Sequence, residues 1–177
     1  MRKSDKSIHN ISIASIKRKT VKPYNFKWTN FYESNSEFQY LSLINEFSKD
    51  ELVICSTMID EHNFSIITTQ RLITAVNGNL QIGSLINAID KGYGDYKGYY
   101  NTQTTFGNVR LSNGKELRYL IETGNASMVM VYGIRTVIQS LKSISSINEK
   151  KEESMFNWLN WDTIPEVFSL IFAIFKK

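Results

Sequence analysis

Between Glu51 and Leu141 the chain alternates short apolar runs with tight-turn signals and then closes on one long helical stretch. That order restricts it to a mainly β architecture ending in a helix. Glu51–Met58 (ELVICSTM) and Phe64–Thr68 flank a turn at Asp60–Asn63, and Arg71–Val76 follows after only Thr69 and Gln70. These are hairpin spacings. A short strand at Leu80–Gly83, a loop, and a long strand pair around Asn113-Gly114 come next. In Lys115–Glu122, Leu117, Tyr119 and Ile121 fall on one side and Arg118 and Leu120 on the other, while Asn113-Gly114 is expected to supply the positive φ angles of a two-residue turn. The closing helix is expected from Asn125, as cap, to Lys142, with Met128, Val131, Ile134 or Arg135, Ile138 and Leu141 at helical spacing on a core face.

The segment Phe64-Ser-Ile-Ile-Thr-Thr-Gln-Arg-Leu-Ile-Thr74 carries an apolar strand, a Thr, a polar residue, Arg-Leu and a second apolar strand. It resembles the second hairpin of bacterial pleckstrin-homology-like domains, and the resemblance extends over roughly half of the chain. It implies an α+β, mainly β fold: a bent, partly open barrel capped by a C-terminal helix, used for binding rather than catalysis. Fold alone does not name a ligand.

With 177 residues, 42% of them hydrophobic and 12% aromatic, the chain can fill one sizeable core but not two. The single cysteine, Cys55, sits in an apolar run and reads as a buried strand residue, so no disulfide framework is available within the chain. Met1-Arg2-Lys3 leads into Ser, Asp, Lys, His and Asn rather than an apolar stretch, so no secretory signal is expected. The expected compartment is the cytoplasm, with peripheral attachment to the inner face of the membrane as the alternative.

The net charge of +4 conceals an asymmetry. Residues 1–28 hold eight basic residues against Asp5, or +7, and the remaining thirteen basic and sixteen acidic residues leave −3. Residues 1–33 therefore read as a basic arm, densest at Lys17, Arg18 and Lys19, which together with Lys176 and Lys177 are the candidates for an anionic surface. A solvated terminal tail is the more common outcome for such a run. Ile8, Ile11, Ile13 and Ile16 argue against it, because spacing this regular suggests packing, for example as a strand added to a sheet edge.

Ser34-Asn-Ser-Glu37 has capping-box spacing, and a helix is expected from it to about Ser48 with Phe38, Leu41, Ile44 and Phe47 on a buried face. The resemblance then implies a pleckstrin-homology-like domain over residues 34–142, with this helix leading it.

The loop Lys91–Asn101 holds four tyrosines and three glycines. Tyr93, Tyr96, Tyr99 and Tyr100 offer flat apolar area with hydroxyl tips, so the loop is either a partner-binding surface or a mobile connection with tyrosines resting on the barrel. Gly92-x-Gly94 followed by Gly98 misses the dinucleotide fingerprint by one position. His9 and His62 are the only histidines, and His62 stands in the polar turn Asp60-Glu61-His62-Asn63, where solvation is far more expected than a metal. No nucleophile–base pair or carboxylate pair can be assigned, and no catalytic residue, metal or cofactor is expected.

Residues 143–154 read as a charged linker. Residues 155–177 read as an apolar helix in which Thr163-Ile-Pro-Glu166 forms a capping box before the continuous apolar run Val167–Phe175. That run is too short to span a bilayer, which takes about 20 apolar residues. Trp158, Trp161, Phe168, Phe172 and Phe175 are its candidate partner-binding residues, toward a protein, a second copy of the chain or a membrane interface. The composite expectation is a non-enzymatic interaction module that binds a protein, as an immunity protein or assembly adaptor. The alternative is a peripheral protein on anionic lipid, and nucleic acid is not an expected partner.

Overall fold

The structure, a computed structural model, describes residues 3–40 and 48–142. Strands arise where alternation and turn chemistry coincide. β1 (Thr29–Phe31), β2 (Val53–Asp60), β3 (Asn63–Thr68), β4 (Arg71–Val76) and β5 (Asn79–Ser84) form one antiparallel sheet in that order. β6 (Ile89–Gly92), β7 (Thr104–Arg110) and β8 (Glu116–Glu122) form a second antiparallel sheet, again in chain order.

The turns show which local signals carried weight. At β2–β3 the Asp60 carboxylate accepts the His62 amide at 2.8 Å and the Asn63 side-chain amide at 3.1 Å, so the acidic cluster shapes a turn. The mirror-image two-residue turn lies between β4 and β5, at Asn77 (φ 51°) and Gly78 (φ 78°). At Asn113-Gly114 the expectation needs correction, because of these two only Gly114 has positive φ (84°). There the Leu111 carbonyl accepts the Gly114 amide at 3.0 Å, the Leu111 amide donates to Lys115 at 2.8 Å, and the Asn113 side chain accepts the Lys115 amide at 3.0 Å. This is a longer loop ending in a left-handed residue.

The strands form two separate sheets rather than a closed barrel, and one core runs between them. Leu120 of β8 donates its backbone N–H to the Ser65 hydroxyl of β3 at 2.8 Å, and that hydroxyl also bonds Thr74 at 2.7 Å. Gly107 leaves room for the buried ring of Tyr119: a Cβ there would lie 2.2 Å from Cζ. Cys55, Ile67, Leu72, Leu117, Tyr119 and Ile121 belong to this core, whereas Ile66, Ile73 and Ala75 occur in a second buried cluster with Tyr32, Phe38 and Phe64. Within the larger sheet, alternation puts Cys55, Ile67 and Leu72 on one face and Phe64, Ile66, Ile73 and Ala75 on the other.

Two helices complete the main core. A 3₁₀ turn at Gly124–Ala126 leads into α2 (Ser127–Leu141), and the cap is not Asn125. Ala126 occupies the cap position with no side-chain cap bond, and the Ser127 hydroxyl donates to the Gly124 carbonyl at 2.6 Å. The N-terminal region also departs from a tail or an added strand: α1 (Asp5–Lys19) is a helix packed along α2, with Ile8, Ile13 and Ile16 buried in the main core. Ser4 caps it by accepting the Ser7 amide at 3.3 Å, Asp5 stands in its first turn, and Lys17, Arg18 and Lys19 stand in its last. The basic cluster therefore complements a helix C-terminus. Residues 5–19 belong to the same compact unit as the sheets.

The expected helix from Ser34 is, over its described part, one 3₁₀ turn at Asn35–Glu37. Ser34 accepts the Ser36 amide at 3.2 Å, and the Glu37 carboxylate reaches back to the Glu33 amide at 3.0 Å rather than to Ser34. Phe38 is buried and meets Tyr32 edge to face at 5.1 Å. Leu41, Ile44 and Phe47 lie outside the described residues, as does everything from Ser143 onward.

The Thr–x–x–Arg spacing in the motif segment has a physical basis. The Thr68 hydroxyl accepts the Gln70 and Arg71 amides at 3.2 and 3.0 Å, fixing the β3–β4 turn, and it contacts the buried Glu51 carboxylate at 2.5 Å. Arg71 Nε donates to the same carboxylate at 2.9 Å. Removing one member of a buried ion pair leaves the other charge uncompensated. Because the Arg71 side chain is itself 22% exposed and the Thr68 hydroxyl still meets the carboxylate, Arg71→Ala is expected to lower the unfolding free energy by about 1–3 kcal/mol, measured by urea denaturation. A loss below about 1 kcal/mol would show that Glu51 is solvated in practice.

Candidate functional site

The loop between β6 and β7 is built, not slack. The Asp95 carboxylate accepts the amides of Tyr99 at 3.1 Å and Tyr100 at 2.8 Å, while its carbonyl accepts that of Gly98 at 3.0 Å. The Asn101 amide closes a further turn on the Gly98 carbonyl at 3.1 Å, and the Tyr96 carbonyl accepts the Gly124 amide at 2.9 Å. The last contact ties the loop to the 3₁₀ turn that starts α2.

This framework sorts the four tyrosines into two pairs. Tyr93 and Tyr96 pack against the main core, with ring centroids 5.9 Å apart at an edge-to-face angle of 79°. Tyr99 and Tyr100 project outward, 74% and 81% exposed. Lys97 stands 5.5 Å from the Tyr99 ring centroid. The loop thus presents two adjacent aromatic side chains whose backbone is already fixed, the arrangement that costs least entropy when a partner covers them.

Beside the loop, β6 and the last turns of α2 enclose a cleft of about 400 Å³ whose lining includes Asp90, Lys91, Tyr93, Arg135, Ile138 and Lys142. Asp90 is half-buried; its Oδ2 accepts the Tyr93 hydroxyl, and its Oδ1 is buried with no partner among the described residues. Burial pushes its carboxyl up to about 6, against the opposing pull of the Gly92 amide and the Arg135 charge. The hydroxyl of Tyr119, also buried without a described partner, is pushed well upward by burial and then by the Asp90 charge. Nothing in the local sequence marked Asp90 or Arg135, since strand β6 and helix α2 meet only through the tertiary fold.

The other sequence candidates are dispersed. Lys17 is paired with Glu33, Arg18 Nε donates to the Ala14 carbonyl at 3.3 Å, and Lys19 lies 5.7 Å from the Tyr132 ring centroid. Trp158, Trp161, Phe168, Phe172, Phe175, Lys176 and Lys177 lie outside the described residues. His9 is buried with Nε2 2.9 Å from the Tyr32 carbonyl oxygen, and His62 sits on the exposed β2–β3 turn. Cys55 is buried in the core, where desolvation drives its thiol far up from its ordinary value and away from reactivity. No family model matches the chain, and comparison with curated proteins and with solved structures finds no match.

Because the folded-state value of Asp90 lies above the ordinary 3.8, the fold favours the protonated form. Its contribution is full below about pH 4 and is lost as pH rises through about 6. Asp90→Asn should remove that dependence and raise stability at neutral pH by about 1 kcal/mol, a figure reduced for the solvent that screens a half-buried group. Thermal melts of both proteins at pH 4 and pH 7.5 check this; a variant less stable than the parent at pH 7.5 would contradict it.

Proposed function

We propose that this chain is a non-enzymatic interaction module of the pleckstrin-homology-like type that binds a protein partner through the β6–β7 loop. The observation that carries the reading is the exposed Tyr99–Tyr100 pair on a backbone held by the Asp95 carboxylate. Large aromatic side chains with an amphipathic tip are the usual anchors of protein interfaces, and prior ordering of their backbone improves affinity. The fold supports the same reading through a meander of four strands, β2 to β5, a meander of three, β6 to β8, and a helix that follows them. An immunity protein or an assembly adaptor would use such a surface.

An anionic membrane surface is the competing reading, and the described residues favour it less. Of the densest basic run, Lys17 is engaged with Glu33 and Lys19 lies over an aromatic ring. No helix among the described residues is long and apolar enough to cross a membrane.

Photo-crosslinking tests the reading directly. A benzophenone side chain at position 100, introduced into the full chain in its native cells, is expected to capture a protein, and capture of lipid alone would contradict the proposal. With the captured protein in hand, the double substitution Tyr99→Ala and Tyr100→Ala should weaken binding by about 1–4 kcal/mol while changing stability by less than about 0.5 kcal/mol. Tyr96→Ala should instead lower stability, because that ring packs on the core.

A further inference from the structure

Each sheet has two terminal strands, and three of these four carry a device that discourages further pairing. β1 has only three residues. β6 carries Asp90 and Lys91 and breaks register between Asp90 and Gly92. β8 carries Glu116, Arg118 and Glu122, and the Leu120 amide is already taken by Ser65. Charges, irregular register and short length are the usual protections of an edge.

β5 has none of them. Its sequence, Asn79-Leu-Gln-Ile-Gly-Ser84, contains no charge and no proline, and it pairs with β4 without interruption from Val76↔Asn79 to Arg71↔Ser84. Among the described residues its other edge has no strand beside it. Leu80 and Ile82 are 46% and 41% exposed. They are also the outer ends of two apolar rows crossing the sheet, Phe64–Ala75–Leu80 and Ile66–Ile73–Ile82, whose inner members are buried.

We propose that β5 is a self-association edge, on which a second copy of the chain pairs antiparallel through its own β5. Charge selects the occupant: the strand offers no counter-charge to an acidic or basic partner, and two copies of it meet without repulsion. Register selects it too. A two-fold axis at Gln81 places Leu80 opposite Ile82 of the second copy on the same face, so each apolar row continues into the other sheet. A six-residue strand pair buries less than the roughly 1,000 Å² of a stable interface, so the dimer forms reversibly and with concentration. This association deepens the reading of the chain as an interaction module but uses a different surface from the tyrosine loop.

Sedimentation equilibrium of the full chain over a range of concentrations tests the proposal. A monomer–dimer equilibrium is expected, with Ile82→Lys raising the dissociation constant about tenfold or more. Tyr99→Ala with Tyr100→Ala should leave it unchanged, which separates this surface from the partner loop. In a mixed sample of isotopically labelled and unlabelled wild-type protein, nuclear Overhauser contacts between Leu80 and Ile82 methyls across copies are expected; this readout stands even if the lysine variant folds poorly. A chain that stays monomeric at all concentrations overturns the proposal. So does a dimer that persists in well-folded Ile82→Lys, or one that lacks the methyl contacts.

Discussion

A side-chain hydroxyl does the work that a backbone ladder would do in a closed barrel. Two sheets with open edges can share one core through side-chain packing alone, and a polar tie where they meet adds a fixed point to that packing. Here the Ser65 hydroxyl, fully buried, accepts the Leu120 amide and bonds Thr74. A buried N–H without an acceptor costs free energy comparable to a lost hydrogen bond. The junction therefore satisfies a group that neither sheet satisfies alone, and it sets β8 against β3. Tyr119, adjacent to Leu120, then turns its ring into the core over Gly107.

The rest of the frame follows from that placement. β8 leads into the 3₁₀ turn at Gly124–Ala126, whose first amide is held by the Tyr96 carbonyl, and α2 runs from there across the core to pack with α1. Glu122 adds a second tie, since its carboxylate accepts the amides of Lys27 at 3.0 Å and Trp28 at 2.9 Å just before β1. The tyrosine loop is thus supported by both the sheet and the start of the helix. Its outward pair is displayed by a rigid scaffold, where recognition loops gain the most from ordered support.

How much of this could be read from sequence depended on how local each cause was. β4 begins and ends where its short apolar run and flanking polar residues do, because those signals act within a few residues. The helical nature of α1 was hidden by its composition: Ser and β-branched Ile, neither a strong helix former, make up seven of its fifteen residues, and Ile8, Ile13 and Ile16 become a core stripe only when α2 lies beside them. Two Asn-Gly pairs looked alike locally, yet only Asn77-Gly78 takes the mirror-image turn, while the loop at Asn113-Gly114 is longer. Tyr93 and Tyr99 are chemically the same residue. Which is covered and which exposed was decided by Asp95 hydrogen bonds and by the main core, neither of which has a period or spacing. The Asp90 carboxyl was invisible for the same reason, since its burial comes from elements distant in sequence.

The sheet junction can be tested at a single amide. If Ser65 holds Leu120 across the two sheets, the Leu120 amide should exchange with deuterium only through global unfolding, and in Ser65→Ala it should exchange through a lower-energy local opening while β2–β3 amides stay protected. Exchange of Leu120 in the parent protein at the rate of an exposed strand edge, unaffected by Ser65→Ala, would contradict the account.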